Sequence, residues 1–138
     1  MPKPHKQPST LSETLKEKRT VREAQRTNCF VVSFKDLSND QGDTLNDWAR
    51  LGLLETLINV LKGYCSSPLR AQRDGKKFAI YGDFPKNSDF THPKGIPEDA
   101  EWARIHLGGK EVLAGHVVDN TFYAVFLDGN HGFFKISK

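Results

Sequence analysis

Apolar residues in the middle of the chain recur at helical spacing, every three or four positions. The pattern predicts a Leu-rich core helix between Thr44 and Gly63, and its apolar positions are Leu45, Trp48, Leu51, Leu54, Leu57, Ile58 and Leu61. Thr44 followed by Asp47 has the spacing of a capping box, which favours a helix start at this point. Gly52 either kinks this helix or divides it into two.

Short β-branched and aromatic runs elsewhere in the chain predict strands. Two lie upstream, CFVVSF at 29–34 and KKFAIYG at 76–82, and an irregular proline-rich surface crossing at 83–99 follows them. The last third carries four more runs, separated by turn-forming residues: EWARIHL, KEVLAGHVV, TFYAVFL and HGFFKI. These features predict one small α+β domain in which a C-terminal four-stranded antiparallel meander packs on the Leu-rich helical segment.

The turns of the meander decide which side chains share a face. Two-residue turns at Gly108-Gly109 and Asp119-Asn120 would place Arg104 opposite Leu113. The face toward the helix would then be aliphatic, with Ala103, Ile105, Leu107, Val112, Ala114, His116, Val118, Tyr123, Val125 and Leu127. The other face would be mixed, with Trp102, Arg104, His106, Glu111, Leu113, Gly115, Phe122, Ala124 and Phe126. A two-residue turn at Gly129-Asn130 would add His131, Phe133 and Lys135 to the mixed face, whereas a three-residue loop would reverse that assignment.

We interpret the mixed face as an RNA-binding surface, because cations bind phosphates and aromatic rings stack on bases. The residues expected to bind RNA in this way are Trp102, His106, Phe133 and Lys135. The alternative is a half-solvated sheet face stabilised by a cross-strand pair between Glu111 and His106.

The first 27 residues differ from the rest of the chain in charge. Seven Lys or Arg against three Glu give this segment +4, whereas the whole chain carries +3. We predict that residues 1–27 are a basic, weakly ordered arm containing a polar helix capped at Ser9 or Thr10, and that residues 28–138 form the α+β domain. Such an arm favours attraction to RNA, DNA or an acidic partner, and a solvated tail is the alternative.

Composition argues against several functional classes. No apolar run approaches the roughly 18 residues of a membrane span, and the polar start lacks a signal-peptide core, so we expect a cytoplasmic protein without a membrane partner. Cys29 and Cys65 are too few and too far apart for a disulfide framework or a cysteine-built zinc site. The histidines lack metal-binding spacings, and P-loop and GxGxxG motifs are absent, so we expect neither a metal nor a cofactor.

The C-terminal third also resembles a known family. The run Trp102-Ala103-Arg104-Ile105, followed by a turn and KEVLAGHVVDNTFYAVFLDGNHGFF, resembles the C-terminal half of the RelE/YoeB-type toxins of bacterial toxin–antitoxin systems. Upstream, FVVSFKDL and WARLGLLETLINVLKGYCSSPL resemble their first strand and helical hairpin. The resemblance covers roughly residues 29–136.

The resemblance implies a small α/β protein that cleaves mRNA in the ribosomal A site and is neutralised by an antitoxin. It implies that Arg104 steadies the scissile phosphate and that His131 is an acid or a positioning group. Glu98, Glu101 or Glu111 would supply the base that activates the ribose 2′-oxygen. In a flat meander, however, Arg104 and His131 would lie three strands apart, on the order of 14 Å.

Two functional hypotheses follow. The first is a toxin-like endoribonuclease with Arg104, His131 and Glu111 as catalytic residues, with RNA or the ribosome as its target and with an antitoxin-like protein partner. The alternative is a non-catalytic protein- or RNA-binding module of a toxin–antitoxin, phage-defence or mobile-element system.

Overall fold

The computed structural model describes residues 6–135, and in this range three α-helices accompany one five-stranded mixed sheet, an α+β arrangement. The helices are α1 (Lys6–Thr27), α2 (Leu45–Arg50) and α3 (Leu53–Tyr64), and a 3₁₀ turn spans Arg70–Gln72. The strands are β1 (Val31–Ser33), β2 (Phe78–Gly82), β3 (Glu101–His106), β4 (Val112–Val118) and β5 (Thr121–Asp128).

The strand order in the sheet is β1-β5-β4-β3-β2. Strand β1 pairs in parallel with β5, and every other neighbouring pair is antiparallel. The prediction that HGFFKI forms the fourth strand of the meander is wrong for the described residues, because residues 131–135 are bends and irregular backbone. Strand β1 takes the place beside β5 that this segment was expected to fill.

The predicted core helix is two helices that meet at Gly52. Thr44 caps α2 with a capping box, in which its hydroxyl accepts from the Asp47 amide and its own amide donates to the Asp47 carboxylate. Gly52 precedes α3 with a φ of 74°, a left-handed conformation that glycine adopts without strain. Both the capping box and the division at Gly52 are confirmed.

The register between β3 and β4 differs by one residue from the predicted register. Arg104 lies opposite Ala114 and not opposite Leu113. The Leu107 amide donates to the Glu111 carbonyl, so the turn contains three residues, Gly108 to Lys110, and Gly108 has a φ of 125°. Because side chains alternate between faces, this one-residue shift moves every β4 side chain to the other face relative to β3.

Strands β4 and β5 join through the predicted two-residue turn, since Val118 pairs with Thr121 across Asp119-Asn120. Farther along, a bulge shifts the register between Ala114 and Gly115. A two-residue turn without a bulge would place Leu113 opposite Phe126, but the bulge places Leu113 opposite Leu127.

Both faces of the sheet are buried, each in its own cluster. We call the side that packs with α2 and α3 the helix-side face, and its buried cluster contains Phe30, Trp48, Leu57, Leu61, Leu69, Phe78, Ala103, Ile105, Leu107, Leu113, Val117, Phe122, Ala124 and Leu127. We call the other side the Trp102 face, and its buried cluster contains Ile96, Trp102, Ala114, Val125, Phe126 and Phe133. Phe84 and Phe90 from the irregular crossing pack against this second cluster, so the crossing covers the sheet.

Helix α1 begins at Lys6, earlier than the predicted caps at Ser9 or Thr10, and residues 1–5 lie outside the described residues. The side chains of residues 13–23 are all exposed, including Leu15 and Val21. The division of the chain after residue 27 stays a prediction. Each helix within residues 6–135 is too short or too polar to cross a lipid bilayer.

Candidate functional site

Arg104 lies on β3 and reaches toward the start of β2. Its Nε donates to the Tyr81 hydroxyl, and its Nη1 donates to the Lys76 carbonyl at 2.7 Å. The guanidinium carbon also lies 5.6 Å from the centre of the Tyr81 ring, within the range of a cation–π contact. These contacts fix the plane of the guanidinium at the edge of the sheet.

Two histidines meet beside this arginine. The rings of His106 and His131 have centroids 5.0 Å apart and an interplanar angle of 34°. His106 is the last residue of β3, whereas His131 belongs to the segment that turns back over the Trp102 face after β5. This return brings His131 next to β3, so the separation of about three strands expected from a flat meander is wrong.

We refer to Tyr81, Arg104, His106 and His131 as the Arg104 cluster. All four side chains are half-buried, so the cluster lies at the boundary between the core and solvent. Burial lowers the pKa of His106, and the nearby charges of Arg104 and His131 lower it further. A lowered pKa enlarges the neutral fraction of His106 near pH 7, and a neutral imidazole can accept a proton.

Tyr81 links the cluster to the C-terminal return. Its ring stacks on Phe134 with centroids 4.5 Å apart, and it lies 6.0 Å from Phe133. Burial raises the pKa of Tyr81, and the charge and hydrogen bond of Arg104 oppose that rise only in part. The phenol therefore keeps its proton near neutral pH, and its hydroxyl can donate to a bound anion while it accepts from Arg104.

The structure places Glu111 directly after the three-residue turn between β3 and β4, and its side chain lies close to Gly109. The expected cross-strand pair between Glu111 and His106 is wrong, because His106 lies opposite Val112. Within residues 6–135, the Glu111 carboxylate makes no hydrogen bond or ion pair with the Arg104 cluster.

Trp102 and Phe133 do not lie on an open stacking surface. Both have no exposed area and pack in the core of the Trp102 face, with ring centroids 5.7 Å apart. The expectation that they stack on bases has to be corrected, because Phe84 of the crossing packs on both rings and Phe133 itself packs on Trp102. Lys135 is exposed and pairs with Asp89 at 2.7 Å, away from the contacts that define the Arg104 cluster.

A second polar cluster lies at the other end of the Trp102 face. His116 was expected on the helix side, but the one-residue shift places it opposite Trp102 on this face. Its Nε2 lies 3.0 Å from a carboxylate oxygen of Asp36, and its ring stacks on Tyr123. This cluster ties the segment after β1 to the sheet beside a groove of about 660 Å³ lined by residues 36, 38–41 and 91–94.

Sequence reasoning missed Tyr81 and Asp128. Tyr81 belongs to a run that predicts a strand, and nothing in that run indicates that the Tyr81 hydroxyl would accept a hydrogen bond from Arg104. Asp128 was interpreted only as part of a hairpin turn, although its carboxylate accepts hydrogen bonds from the amides of Asn130, Gly132 and Phe133. An Asp before Gly and Asn could have been recognised as a side chain that organises a loop.

The part of the chain that the structure describes contains no group of three or more His, Cys, Asp or Glu side chains arranged to hold a metal ion. Comparison with protein-family models, with curated proteins and with solved structures finds no significant match for the chain.

Proposed function

We propose that this protein is a toxin-like endoribonuclease of the RelE/YoeB type, and that the Arg104 cluster carries the reaction. The observation that supports this most directly is the pair of imidazole rings of His106 and His131, 5.0 Å apart and next to Arg104. RNA cleavage without a cofactor needs a base, an acid and a cation for the phosphate. The cluster offers all three at one edge of the sheet.

In the proposed reaction His106 is the base. Its neutral imidazole removes the proton of a ribose 2′-hydroxyl, and the 2′-oxygen attacks the adjacent phosphorus. The bond from phosphorus to the 5′-oxygen breaks, and the leaving oxygen takes a proton from His131. The products are a 2′,3′-cyclic phosphate and a 5′-hydroxyl end. His106 replaces Glu111 in this role, because the Glu111 carboxylate lies in the turn without a contact to the cluster.

Arg104 holds the phosphate in the proposed reaction. Its guanidinium is oriented by Tyr81 and by the Lys76 carbonyl, and within the described chain its Nη2 makes no hydrogen bond. Lys76 and Lys77 are exposed next to the site, since the His106 amide donates to the Lys77 carbonyl at 2.7 Å. These lysines add positive charge where an RNA backbone would approach.

A second candidate is an interaction module without catalysis. It is favoured by the fact that two nitrogens of Arg104 already donate to groups of the protein itself. In that case the hydrogen bonds of Arg104 only link β3 to β2, and Arg104 binds no substrate. The two candidates differ in the expected result of Arg104→Lys, since lysine lacks the planar fork that contacts two oxygens at once.

The test expresses wild type, Arg104→Lys and His131→Asn in a bacterial host, and follows growth, mRNA integrity and the melting temperature of each purified protein. Asparagine is chosen at 131 because it tolerates the left-handed backbone that His131 adopts, with a φ of 57°. We expect growth arrest and mRNA cleavage with wild type, and loss of both in the folded variants. Intact mRNA and normal growth with soluble, folded wild type would support the interaction module.

The proposal also includes the ribosome as the place of cleavage and an antitoxin-like protein as a partner. The exposed charged side chains of residues 13–23 in α1 support a contact with RNA or with an acidic protein. A small reading frame beside the gene, whose product binds this protein and suppresses the growth arrest, would support the antitoxin. Growth arrest that such a neighbour does not relieve would argue against it.

A further inference from the structure

Asp128 is a buried carboxylate that the proposed reaction does not use. It is the last residue of β5, and only 2% of its surface is exposed. A buried carboxylate is costly unless hydrogen bonds or a cation compensate it. Asp128 forms no ion pair within residues 6–135, and instead one oxygen accepts from the Gly132 amide at 2.9 Å while the other accepts from the Phe133 amide at 2.8 Å.

These hydrogen bonds enclose His131. The Asn130 amide also donates to Asp128, at 3.3 Å, so donors on both sides of His131 converge on one carboxylate. Between them, His131 has a φ of 57°, in the left-handed region that non-glycine residues rarely adopt. Such a conformation persists only where the surroundings enforce it, and it is found often at functional sites.

Two further contacts hold the outside of the same loop. An added Cβ at Gly129 would collide with the Asp43 carboxylate, which is itself fixed because it accepts from Trp48 Nε1 at 2.9 Å. The Gly132 carbonyl accepts from the Asp89 amide at 2.8 Å. The loop is therefore held by hydrogen bonds to the Asp128 carboxylate and from the Asp89 amide, and the Asp43 carboxylate lies close against Gly129.

We infer that Asp128 is a positioning residue whose carboxylate holds the loop 129–132 so that the His131 imidazole lies beside His106. This inference rests on the proposed function for its catalytic meaning, because it assigns Asp128 to the placement of the acid. The alternative is an Asp that stabilises a turn without any effect on the two histidines.

The pKa of His106 distinguishes these alternatives independently of catalysis. The charge of His131 lowers that pKa, so displacement of His131 raises it. Loss of the negative charge of Asp128 has the opposite direct effect, since a nearby anion favours the protonated imidazole. A rise in the His106 pKa in Asp128→Asn therefore reports that His131 has moved, and loss of the charge alone cannot produce it.

The experiment follows the ring signals of His106 by NMR through a pH titration in wild type, Asp128→Asn and His131→Asn. His131→Asn removes the ring and gives the upper limit of the shift. Leu61→Ala is the matched control, because it removes a buried side chain from the helix-side face and destabilises the protein without touching the loop. We expect Asp128→Asn to raise the His106 midpoint toward that of His131→Asn, and Leu61→Ala to leave it unchanged.

RNA cleavage is measured on the same four proteins. His131→Asn should lose roughly 100-fold or more in kcat, as expected for removal of a general acid. Asp128→Asn should lose kcat nearly as far with little change in KM, because the RNA-contacting Arg104 is untouched. If Asp128→Asn does not fold, Gly129→Ala takes its place, since it displaces the loop from the other side and keeps the carboxylate.

A folded Asp128→Asn whose His106 midpoint and kcat both equal those of wild type would overturn the inference. If wild type shows no cleavage but the midpoint rises in Asp128→Asn, the proposed function fails while the positioning of His131 by Asp128 stands. If wild type cleaves RNA and the midpoint stays unchanged, the proposed function stands and the positioning fails.

Discussion

The two faces of the sheet are covered in different ways. The helix-side face packs against α2 and α3 with mostly aliphatic side chains such as Leu57, Leu61 and Leu113. The Trp102 face is covered by irregular chain, the crossing after β2 and the return after β5, and half of its buried cluster is aromatic. Buried and half-buried polar groups accumulate on the second face, at its two ends.

The difference shows where this fold can accommodate chemistry. A helix uses its backbone hydrogen bonds internally and presents only side chains to the sheet, so the layer that it covers stays apolar. Irregular chain has backbone donors and short polar side chains to offer, and Asp36 and Asp128 lie in or beside such segments. His116 is accommodated on the Trp102 face beside its partner Asp36, and Arg104 beside the Lys76 carbonyl and the Tyr81 hydroxyl.

The largest expected effect on stability is on the Trp102 face. Trp102→Ala removes a fully buried ring and should lower the free energy of unfolding by about 3–5 kcal/mol, measured by urea denaturation. Trp102→Phe is the control, since it keeps a ring and removes an indole N–H that is buried without a partner among the described residues, so it should cost far less. If Trp102→Ala changes the free energy of unfolding by less than about half a kcal/mol, the burial of the ring is contradicted and the ring lies on an open surface.

The helix-side face is tested by Leu57→Ala. Leu57 is buried against the sheet, and we expect a loss of roughly 2–5 kcal/mol in the free energy of unfolding. Ile58→Ala is the matched control on the same helix, because more than half of that side chain is exposed, and it should change stability by about half a kcal/mol or less. Equal losses in the two variants would contradict the orientation of α3.

A smaller effect concerns Asp36 and His116. Burial raises the pKa of Asp36, but hydrogen bonds from His116 and Lys35 outweigh it, so the folded-state pKa lies below the ordinary value of 3.8. A lowered carboxyl pKa stabilises the fold above the unfolded-state pKa, and this stabilisation is lost as the pH falls through the folded-state pKa. Asp36→Asn should therefore cost about 1 kcal/mol at pH 7, and the difference from wild type should shrink below about pH 4.

The measurement is the free energy of unfolding of both proteins at several pH values between neutral and acidic. A difference between wild type and Asp36→Asn that stays constant across this range would show that the charge of Asp36 contributes nothing to the fold.

The smallest expected effect is that of removing residues 1–27. The exposed side chains of residues 13–23 contribute no buried apolar area, so the shortened protein should keep a cooperative transition and a free energy of unfolding within about half a kcal/mol of the full chain. Loss of the cooperative transition would show that α1 is part of the domain.

Sequence reasoning succeeded where one local pattern determines the structure. The capping box at Thr44 and the break at Gly52 depend on residues within a few positions of each other, and both are as expected. The two-residue turn at Asp119-Asn120 is equally local.

Sequence reasoning failed where a single residue decides on which face of the sheet distant side chains lie or where a distant segment packs. The turn after Leu107 contains Lys110 as well as two glycines, and this extra residue moves Leu113 and His116 to the opposite faces from those expected. The apolar spacing at 131–136 is typical of a strand. The Asp128 carboxylate, however, accepts hydrogen bonds from the Gly132 and Phe133 amides, which a strand would have used to pair with its neighbour. The meeting of His131 with His106 depends on that return and could not be predicted from spacing alone.

The central claim, that the Arg104 cluster cleaves RNA, is tested most directly by the chemistry of the cut ends. Purified wild type and His131→Asn are incubated with a defined mRNA, with and without programmed ribosomes, and the 3′ ends of the fragments are analysed. We expect wild type to produce 2′,3′-cyclic phosphate and 5′-hydroxyl ends, and His131→Asn to produce them roughly 100-fold more slowly. Intact RNA under both conditions, or cleavage that His131→Asn leaves unchanged, would contradict the account.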